Sequence, residues 1–134
     1  MGTLTAYEMN LDRSCFPAQT DMDTRRITIG ELLDEVTKTR SDCEALVEVL
    51  EDGTTGRRWT YSQLQTEVDR LALALSTRFA GGERVVVWSP NSPEWVLMEY
   101  ACAKAGLVLV TANPVFQAKE LEYVLAQSRA VALF

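Results

Sequence analysis

The chain has 134 residues, 47% of them hydrophobic, which suits a single domain and is too apolar for a disordered segment. Its formal net charge is -6, and lysine and arginine are scattered along the sequence, which argues against a nucleic-acid-binding surface. The longest apolar stretch is far shorter than the ~20 residues of a membrane-spanning helix, so no transmembrane segment is expected.

The N-terminal region shows neither a targeting signal nor a cofactor motif. Residues 1–26 are polar and without periodicity, and they predict an extended lead-in. Because no secretion signal or complete acylation motif is present, we predict a cytoplasmic protein. Cys15, Cys43 and Cys102 are widely spaced and the chain has no histidine, so neither a metal site nor a disulfide framework is expected.

A helix and a β-hairpin are predicted next. A capping-box pattern at Thr28 and the helical spacing of apolar residues predict a helix over about 29–39. Residues 45–50 and 57–60 have the pattern of strands, and the residues between them, 51–56, favour a turn. A hairpin is therefore expected.

A second capping box begins at Thr60 and leads into a long amphipathic helix, which is expected to cover a sheet and to end at Gly81. Its apolar stripe contains Leu64, Val68, Leu71, Leu75 and Phe79.

The second half of the chain alternates strands and helices. Asn91 or Ser92 is expected to cap the first of these helices, with Pro93 in its first turn, and Gly106 is expected to end it. The predicted strands are 84–88, 107–110 and 130–134, all buried, and the helices run from about 92 to 105 and from 120 to 127. Right-handed crossovers would make this βαβαβ pattern the N-terminal part of a doubly wound, mostly parallel α/β sheet.

Polar residues follow two of the predicted strands: Ser89 and Asn91 after the first, and Thr111 and Asn113 after the second. Open α/β sheets usually bind ligands at this edge. Helix caps and turns favour the same residue types without any ligand, and we prefer that interpretation. The three tryptophans, Trp59, Trp88 and Trp95, are likewise interpreted as core residues rather than as a stacking platform for bases.

Five short segments carry a family resemblance, which extends over residues 27–134. In chain order they are Trp59-Thr60-Tyr61, Gly82-Glu83-Arg84-Val85, Asn91 with Glu94 and Trp95, Ala103-Lys104-Ala105-Gly106, and Asn113-Pro114 followed by Glu120-Leu121. Together they resemble the first part of the large N-terminal domain of fatty acyl-CoA synthetases of the adenylate-forming ANL superfamily. Residues 27–134 are thus predicted to be a partial AMP-binding domain, truncated at its C-terminal end.

The resemblance implies an acid-thiol ligase. Such an enzyme activates a fatty acid of medium or longer chain with ATP and Mg²⁺, and then transfers the acyl group to CoA. In this family the phosphate loop, the residues around adenine and ribose, and the lysine of the C-terminal domain come later in the chain. No catalytic, cofactor-binding or metal-binding residue is therefore assigned here, and the chain alone is predicted to be inactive.

One segment partly matches the phosphate-loop pattern of the family. Residues 53–56, Gly-Thr-Thr-Gly, match four positions of the pattern S-G-T-T-G-x-P-K. Asp52 stands where serine is expected and would repel phosphate, Arg58 replaces the proline, and Trp59 replaces the lysine. We interpret the segment as the turn of the hairpin.

Two alternatives remain open: a small non-catalytic α/β binding module, and a truncated paralogue that acts only by interaction. Under the ligase hypothesis the reading frame is expected to continue past Phe134 and to contain the phosphate loop. An unpaired side of the last strand, 130–134, would make the isolated chain self-associate. The acyl substrate, whether medium, long or aromatic, is not decided by these residues.

Overall fold

The computed structural model describes residues 24–134. The predicted lead-in over residues 1–26 lies outside the described residues except for 24–26. No helix within the described range is long and apolar enough to cross a membrane. In chain order the elements are α1 (Ile29–Arg40), β1 (Glu44–Val49), β2 (Thr55–Thr60), α2 (Tyr61–Ser76), β3 (Arg84–Trp88), α3 (Pro93–Ala105), β4 (Val108–Ala112), α4 (Ala118–Ser128) and β5 (Ala132–Leu133).

Both predicted capping boxes are present and fix the starts of α1 and α2. The Thr28 hydroxyl accepts the Glu31 N–H at 3.2 Å, and the Glu31 carboxylate accepts the Thr28 N–H at 2.8 Å. Thr60 and Gln63 form the equivalent bonds at 3.3 and 2.9 Å. These bonds satisfy N–H groups that have no partner inside the helix, and the predicted starts are confirmed.

The end of α2 differs from the prediction, because the helix stops at Ser76 rather than at Gly81. The hydroxyls of Ser76 and Thr77 donate to main-chain carbonyls of the preceding turn, at 2.9 and 2.8 Å. Such bonds compete with continued helix. Phe79 follows in irregular structure and still packs against the core.

The start and end of α3 confirm the predicted signals. Of the two candidate caps, Ser92 is the one used, since its hydroxyl accepts the Trp95 N–H at 3.3 Å. Pro93 occupies the first turn, where its missing N–H leaves no bond unmade. Gly106 ends the helix with φ of 69°, a left-handed conformation that glycine adopts without a steric penalty.

The chain forms two separate sheets. β1 and β2 are the predicted antiparallel hairpin and make a two-stranded sheet of their own. The three remaining strands are parallel and lie in the order β4-β3-β5. β3 is the central strand, the next strand in the chain, β4, lies on one side of it, and the following strand, β5, lies on the other side. A doubly wound sheet has this arrangement. The predicted fold class is confirmed.

Alternate side chains of β3 face two cores. Val85 and Val87 belong to the larger cluster, which also contains buried residues of α1, α2, α3 and the hairpin. Val86 faces the opposite side and packs with Ala112 and with Leu121 of α4. Helices cover both faces of the strand, so its continuous apolar sequence is explained.

The later elements are shifted from their predicted bounds. β4 covers 108–112 rather than 107–110, and as an edge strand it is only partly buried, with Val108 exposed. α4 begins two residues before the predicted Glu120, because the Glu120 carboxylate accepts the Gln117 N–H at 2.8 Å and places the cap there. β5 is shorter than the predicted 130–134, although main-chain bonds to β3 extend from Val131 to Phe134.

Three helices meet at the side chain of Lys104 on α3. Its Nζ lies 2.5 Å from a carboxylate oxygen of Asp34 on α1 and 2.5 Å from one of Asp69 on α2. Gln65 donates to the same Asp34 oxygen at 2.7 Å. Gly30 of α1 sits directly over the stem, since a Cβ at this glycine would lie 2.8 Å from the Lys104 Cγ. This ion cluster therefore fixes how α1, α2 and α3 pack together.

Candidate functional site

The parallel sheet places two loops side by side at the carboxyl ends of its strands. Residues 89–92 follow β3 and residues 113–117 follow β4. We call these two loops the carboxyl edge. The connection after β3 runs to β4 on one side of the sheet, and the connection after β4 crosses back past β3 to β5. Open α/β sheets bind ligands outside the carboxyl ends of their strands, so these two loops are the candidate binding edge.

The polar residues predicted at this edge have local bonding roles. Asn113 accepts the Val115 N–H at 3.1 Å and so closes its own loop. Ser89 donates to the Pro90 carbonyl at 3.0 Å. Thr111 and Asn91 are exposed. The preferred interpretation as caps and turns thus describes Ser89 and Asn113, and the structure does not bring the four side chains together into one catalytic group.

Trp88 was predicted to be a core residue, and this prediction is wrong. It is 38% exposed, because it is the last residue of β3 and lies where the strand leaves the core. Its indole Nε1–H donates to the Asn113 carbonyl at 3.0 Å. The ring thereby ties the end of β3 to the loop that follows β4. Trp59 and Trp95 do pack in or against the larger core, as predicted.

Gly53 and Thr54 of the Gly-Thr-Thr-Gly segment lie in the turn of the hairpin, whereas Thr55 and Gly56 already belong to β2, so the turn is shorter than the predicted residues 51–56. Gly53 adopts φ of 79° there. The Asp52 carboxylate accepts both the main-chain N–H of Thr54 at 2.9 Å and its hydroxyl at 2.6 Å. These bonds, the hydroxyl bond foremost, lower the pKa of Asp52 below its usual range. Both donors of Thr54 are therefore bonded to a carboxylate within the turn.

Arg57 joins the hairpin to the start of α3, and no local pattern in the sequence indicates this role. Its guanidinium donates to both Glu48 oxygens, at 2.9 and 2.8 Å, and to Glu94 at 2.5 Å. It also lies 5.2 Å from the Trp59 ring centroid, within range of a cation-π contact. Since α3 starts directly after residues 89–92, Arg57 holds one loop of the carboxyl edge against the hairpin.

The bonds to Arg57 change the acidity of its partners. The hydrogen bonds from its side chain lower the pKa of Glu48 to about 2. They also lower the pKa of Glu94 and raise that of Arg57 itself. The ion pairs therefore stay formed well below neutral pH.

Replacing Glu48 is expected to change how stability responds to acid. The pKa of Glu48 is lower in the folded chain than in the unfolded chain, where it is ~4.3. Ionised Glu48 therefore stabilises the fold above pH ~4.3, and this stabilisation is lost as the pH falls toward about 2. Glu48→Gln should be less stable than the parent at pH 7 and should show a weaker loss between pH 4.3 and 2. Urea unfolding at a series of pH values measures this. Glu51→Gln, at an exposed turn position, is the control, and equal pH profiles for parent and Glu48→Gln would contradict the assignment.

The two cysteines of the described residues are free thiols. Cys43 is exposed, whereas Cys102 is buried in the larger core. Burial raises the pKa of the Cys102 thiol to about 11, so this thiol is not activated as a nucleophile near neutral pH. Cys15 lies outside the described residues.

Neither grouped metal ligands nor the complete phosphate loop of the family occurs in the described part of the chain. No group of three or more potential metal-ligating side chains occurs between residues 24 and 134. The S-G-T-T-G-x-P-K pattern is absent from the sequence. In the partial match, the Asp52 carboxylate accepts the N–H and the hydroxyl of Thr54. No reaction step is therefore assigned to these side chains.

Comparison with known proteins gives a consistent set of matches. The family described as AMP-binding enzyme matches residues 33–134. The medium-chain acyl-CoA ligase ACSF2, mitochondrial, of Homo sapiens is 44% identical over 107 residues, covering 79% of this chain and 17% of that protein. The putative acyl-CoA synthetase YngI of Bacillus subtilis is 38% identical over 107 residues, covering 79% of this chain and 19% of its own length. The chain thus spans less than a fifth of these curated relatives.

Solved structures share the fold. The N-terminal domain of FACL13 from Mycobacterium tuberculosis superposes with a TM-score of 0.72 at 30% identity, covering 80% of this chain and 26% of that one. The Klebsiella oxytoca NpsA N-terminal subdomain in complex with anthranilyl-AMSN gives a TM-score of 0.70 at 25% identity, covering 79% of this chain and 26% of that one. The described elements therefore correspond to about a quarter of each of these domains.

Proposed function

Because this chain belongs to the AMP-binding enzyme family, we propose that it forms part of an acyl-CoA ligase that acts on a fatty acid of medium or longer chain. The observation that carries the proposal is the similarity over 107 residues to proteins named as medium-chain acyl-CoA ligases. The reaction has two displacements. A carboxylate oxygen attacks the α-phosphorus of ATP and releases pyrophosphate, and the CoA sulfur then attacks the acyl carbon and releases AMP.

Within that enzyme this chain acts as scaffold. Residues 27–134 supply the first strands of the adenylation domain and present the carboxyl edge at the ends of β3 and β4. Trp88 and Arg57 hold the loops of that edge in place. ATP, Mg²⁺ and CoA are proposed for the longer protein, and their contacts are proposed to come from residues other than 24–134. A phosphate loop of the S-G-T-T-G-x-P-K type is part of that proposal.

The 134-residue chain alone is expected to form no acyl-adenylate, because the described residues hold no phosphate loop and no metal-ligating cluster. ATP-pyrophosphate exchange with octanoate measures this directly. A longer protein containing this sequence and the phosphate loop should exchange pyrophosphate and produce octanoyl-CoA. Pyrophosphate exchange by the 134-residue chain would contradict the expected inactivity of this chain. Absence of exchange by the longer protein with every carboxylic acid tested would contradict the proposed ligase activity.

A small non-catalytic α/β module is the alternative function, and the association state of the isolated chain distinguishes it from a piece of the ligase. Leu133 of β5 and Phe134 directly after it are 44% and 50% exposed, and within residues 24–134 no strand pairs with the outer edge of β4 or β5. Exposed edges template pairing between chains. The isolated chain is therefore expected to elute from size-exclusion chromatography above its 15.0 kDa mass and to bind a hydrophobic dye. A monomer without dye binding would contradict this expectation and would favour the non-catalytic module.

For the whole protein we propose a cytoplasmic location. The word mitochondrial in the name of ACSF2 belongs to that relative. Fractionation of cells that express the native gene distinguishes the two compartments, and recovery of the protein with mitochondria would overturn the proposal.

A further inference from the structure

The turn between α4 and β5 is the one place in the described chain where a residue other than glycine has a positive φ. Arg129 ends α4 there in the left-handed conformation, with φ of 53°. A residue with a Cβ adopts this conformation only at a steric cost. The end of α3 has the same kind of turn, but Gly106 occupies its left-handed position. The turn after α4 therefore contains a strained residue where the turn after α3 contains an unstrained one.

The side chain of Arg84, at the start of β3, lies against this strained turn. Arg84 is half-buried. Its Nε–H donates to the Ser128 carbonyl at 2.9 Å, and its Nη2 donates to the Arg129 carbonyl at 2.9 Å. Carbonyls at the end of a helix have no partner inside the helix, and the negative end of the helix dipole favours a cation there. The Arg84 guanidinium therefore stabilises the conformation that Arg129 adopts.

The main chain of Arg84 holds the strand that follows the turn. Its carbonyl accepts the Val131 N–H at 2.8 Å, and further along the Phe134 N–H donates to the Val86 carbonyl at 2.9 Å. One residue thus bonds the turn through its side chain and the next segment through its carbonyl. All of these atoms belong to residues 84–134, so the contacts do not depend on which other segments cover the sheet.

We propose that Arg84 is a latch that holds residues 128–134 on the central strand, and that its release opens these residues as one unit while β3 and β4 stay paired. β5 is only two residues long, and short segments with few bonds are the ones that open locally. β4 does not share this dependence, because the Val108 N–H donates to the Glu83 carbonyl at 2.8 Å on the other side of β3. The latch belongs to the fold and does not rest on the ligase proposal.

Hydrogen exchange of the full 134-residue chain, followed by mass spectrometry, tests the latch. Arg84→Met keeps an unbranched stem but has no donor, and it should speed amide exchange in residues 128–134 by about tenfold or more. Exchange in residues 107–112 should stay within about twofold of the parent. Arg84→Lys keeps the charge but lacks the planar fork, and it should give an intermediate rate. Arg70→Met, at an exposed position of α2, is the matched control and should exchange like the parent.

The strain at Arg129 gives a second readout. Arg129→Gly removes the Cβ that makes the turn costly, so in the Arg84→Met chain it should slow exchange in residues 128–134 by about threefold. No recovery would overturn the proposal, as would an unchanged rate in these residues for Arg84→Met. An equal rise in residues 107–112 would show that Arg84 stabilises the whole fold rather than this turn, and would overturn it too. A difference that disappears on about tenfold dilution would assign the protection to association between chains, against the proposal.

Discussion

Trp59→Ala is expected to lower the free energy of unfolding by about 3–5 kcal/mol, the largest effect of any single truncation proposed for this chain. Trp59 is 7% exposed and packs in the larger core between the hairpin and the helices. Its Nε1–H also donates to the Glu67 carboxylate at 3.0 Å. Truncation leaves a cavity, removes that bond, and takes away the ring on which Arg57 lies.

Chemical unfolding followed by far-ultraviolet circular dichroism measures the loss. Trp59→Phe keeps most of the packing and should cost less, about 1–2 kcal/mol, because only part of the ring and the bond to Glu67 are lost. Trp88→Ala is the control at a 38% exposed tryptophan and should cost about 1 kcal/mol. Equal losses for Trp59→Ala and Trp88→Ala would show that Trp59 does not anchor the hairpin to the core.

Lys104→Met is expected to cost about 2 kcal/mol. Methionine keeps the apolar stem under Gly30 but leaves the carboxylates of Asp34 and Asp69 facing each other without a cation. The Lys104 side chain is only 14% exposed, which places it nearer a buried ion pair than a surface one. Asp34 and Asp69 remain partly exposed, so water screens their repulsion and the cost stays below that of a fully buried pair.

The same cluster predicts a response to alkali. Burial alone lowers the pKa of Lys104, but the hydrogen bonds to Asp34 and Asp69 outweigh burial, and the pKa is raised above its ordinary value. The ion pairs of Lys104 therefore contribute their full stability below the pKa that lysine has in the unfolded chain, ~10.4. This contribution is lost as the pH rises through the pKa of Lys104 in the folded chain. The difference in the free energy of unfolding between the parent and Lys104→Met should therefore become smaller above that pH.

Two comparisons check the Lys104 prediction. Adding Asp69→Asn to Lys104→Met should recover part of the lost stability, because it removes the repulsion. Lys119→Met, at an exposed position of α4, should change stability by less than about 0.5 kcal/mol. If the double variant is no more stable than Lys104→Met, then the repulsion between the two carboxylates is not the cause of the loss.

Local signals account for the parts of the fold that the sequence predicts well. The capping boxes at Thr28 and Thr60, the stop at Gly106 and the apolar run of β3 each depend on a few neighbouring residues. The family resemblance, built from five short segments, is confirmed by the match of residues 33–134. The end of α2 was missed because the hydroxyls of Ser76 and Thr77 outweigh its apolar periodicity.

Long-range partners explain what the sequence does not predict. Arg57 and Glu94 are 37 residues apart, and Lys104 and Asp34 are 70 apart, so no local pattern marks them as pairs. The loops of the carboxyl edge could be placed from the order of strands and helices. The exposure of Trp88 could not, because it depends on where the helices stop covering the sheet.

The central position of β3 has a consequence for the order of folding. The hairpin and the helix after it need only nearby residues, so they can form early during synthesis. β3 instead pairs with a strand made much later: the Val131 N–H donates to the Arg84 carbonyl, and the Trp88 N–H donates to the Phe134 carbonyl. Until those residues leave the ribosome, one side of β3 stays open. The most buried strand of the folded sheet is thus the one exposed longest to chaperones and to other nascent chains.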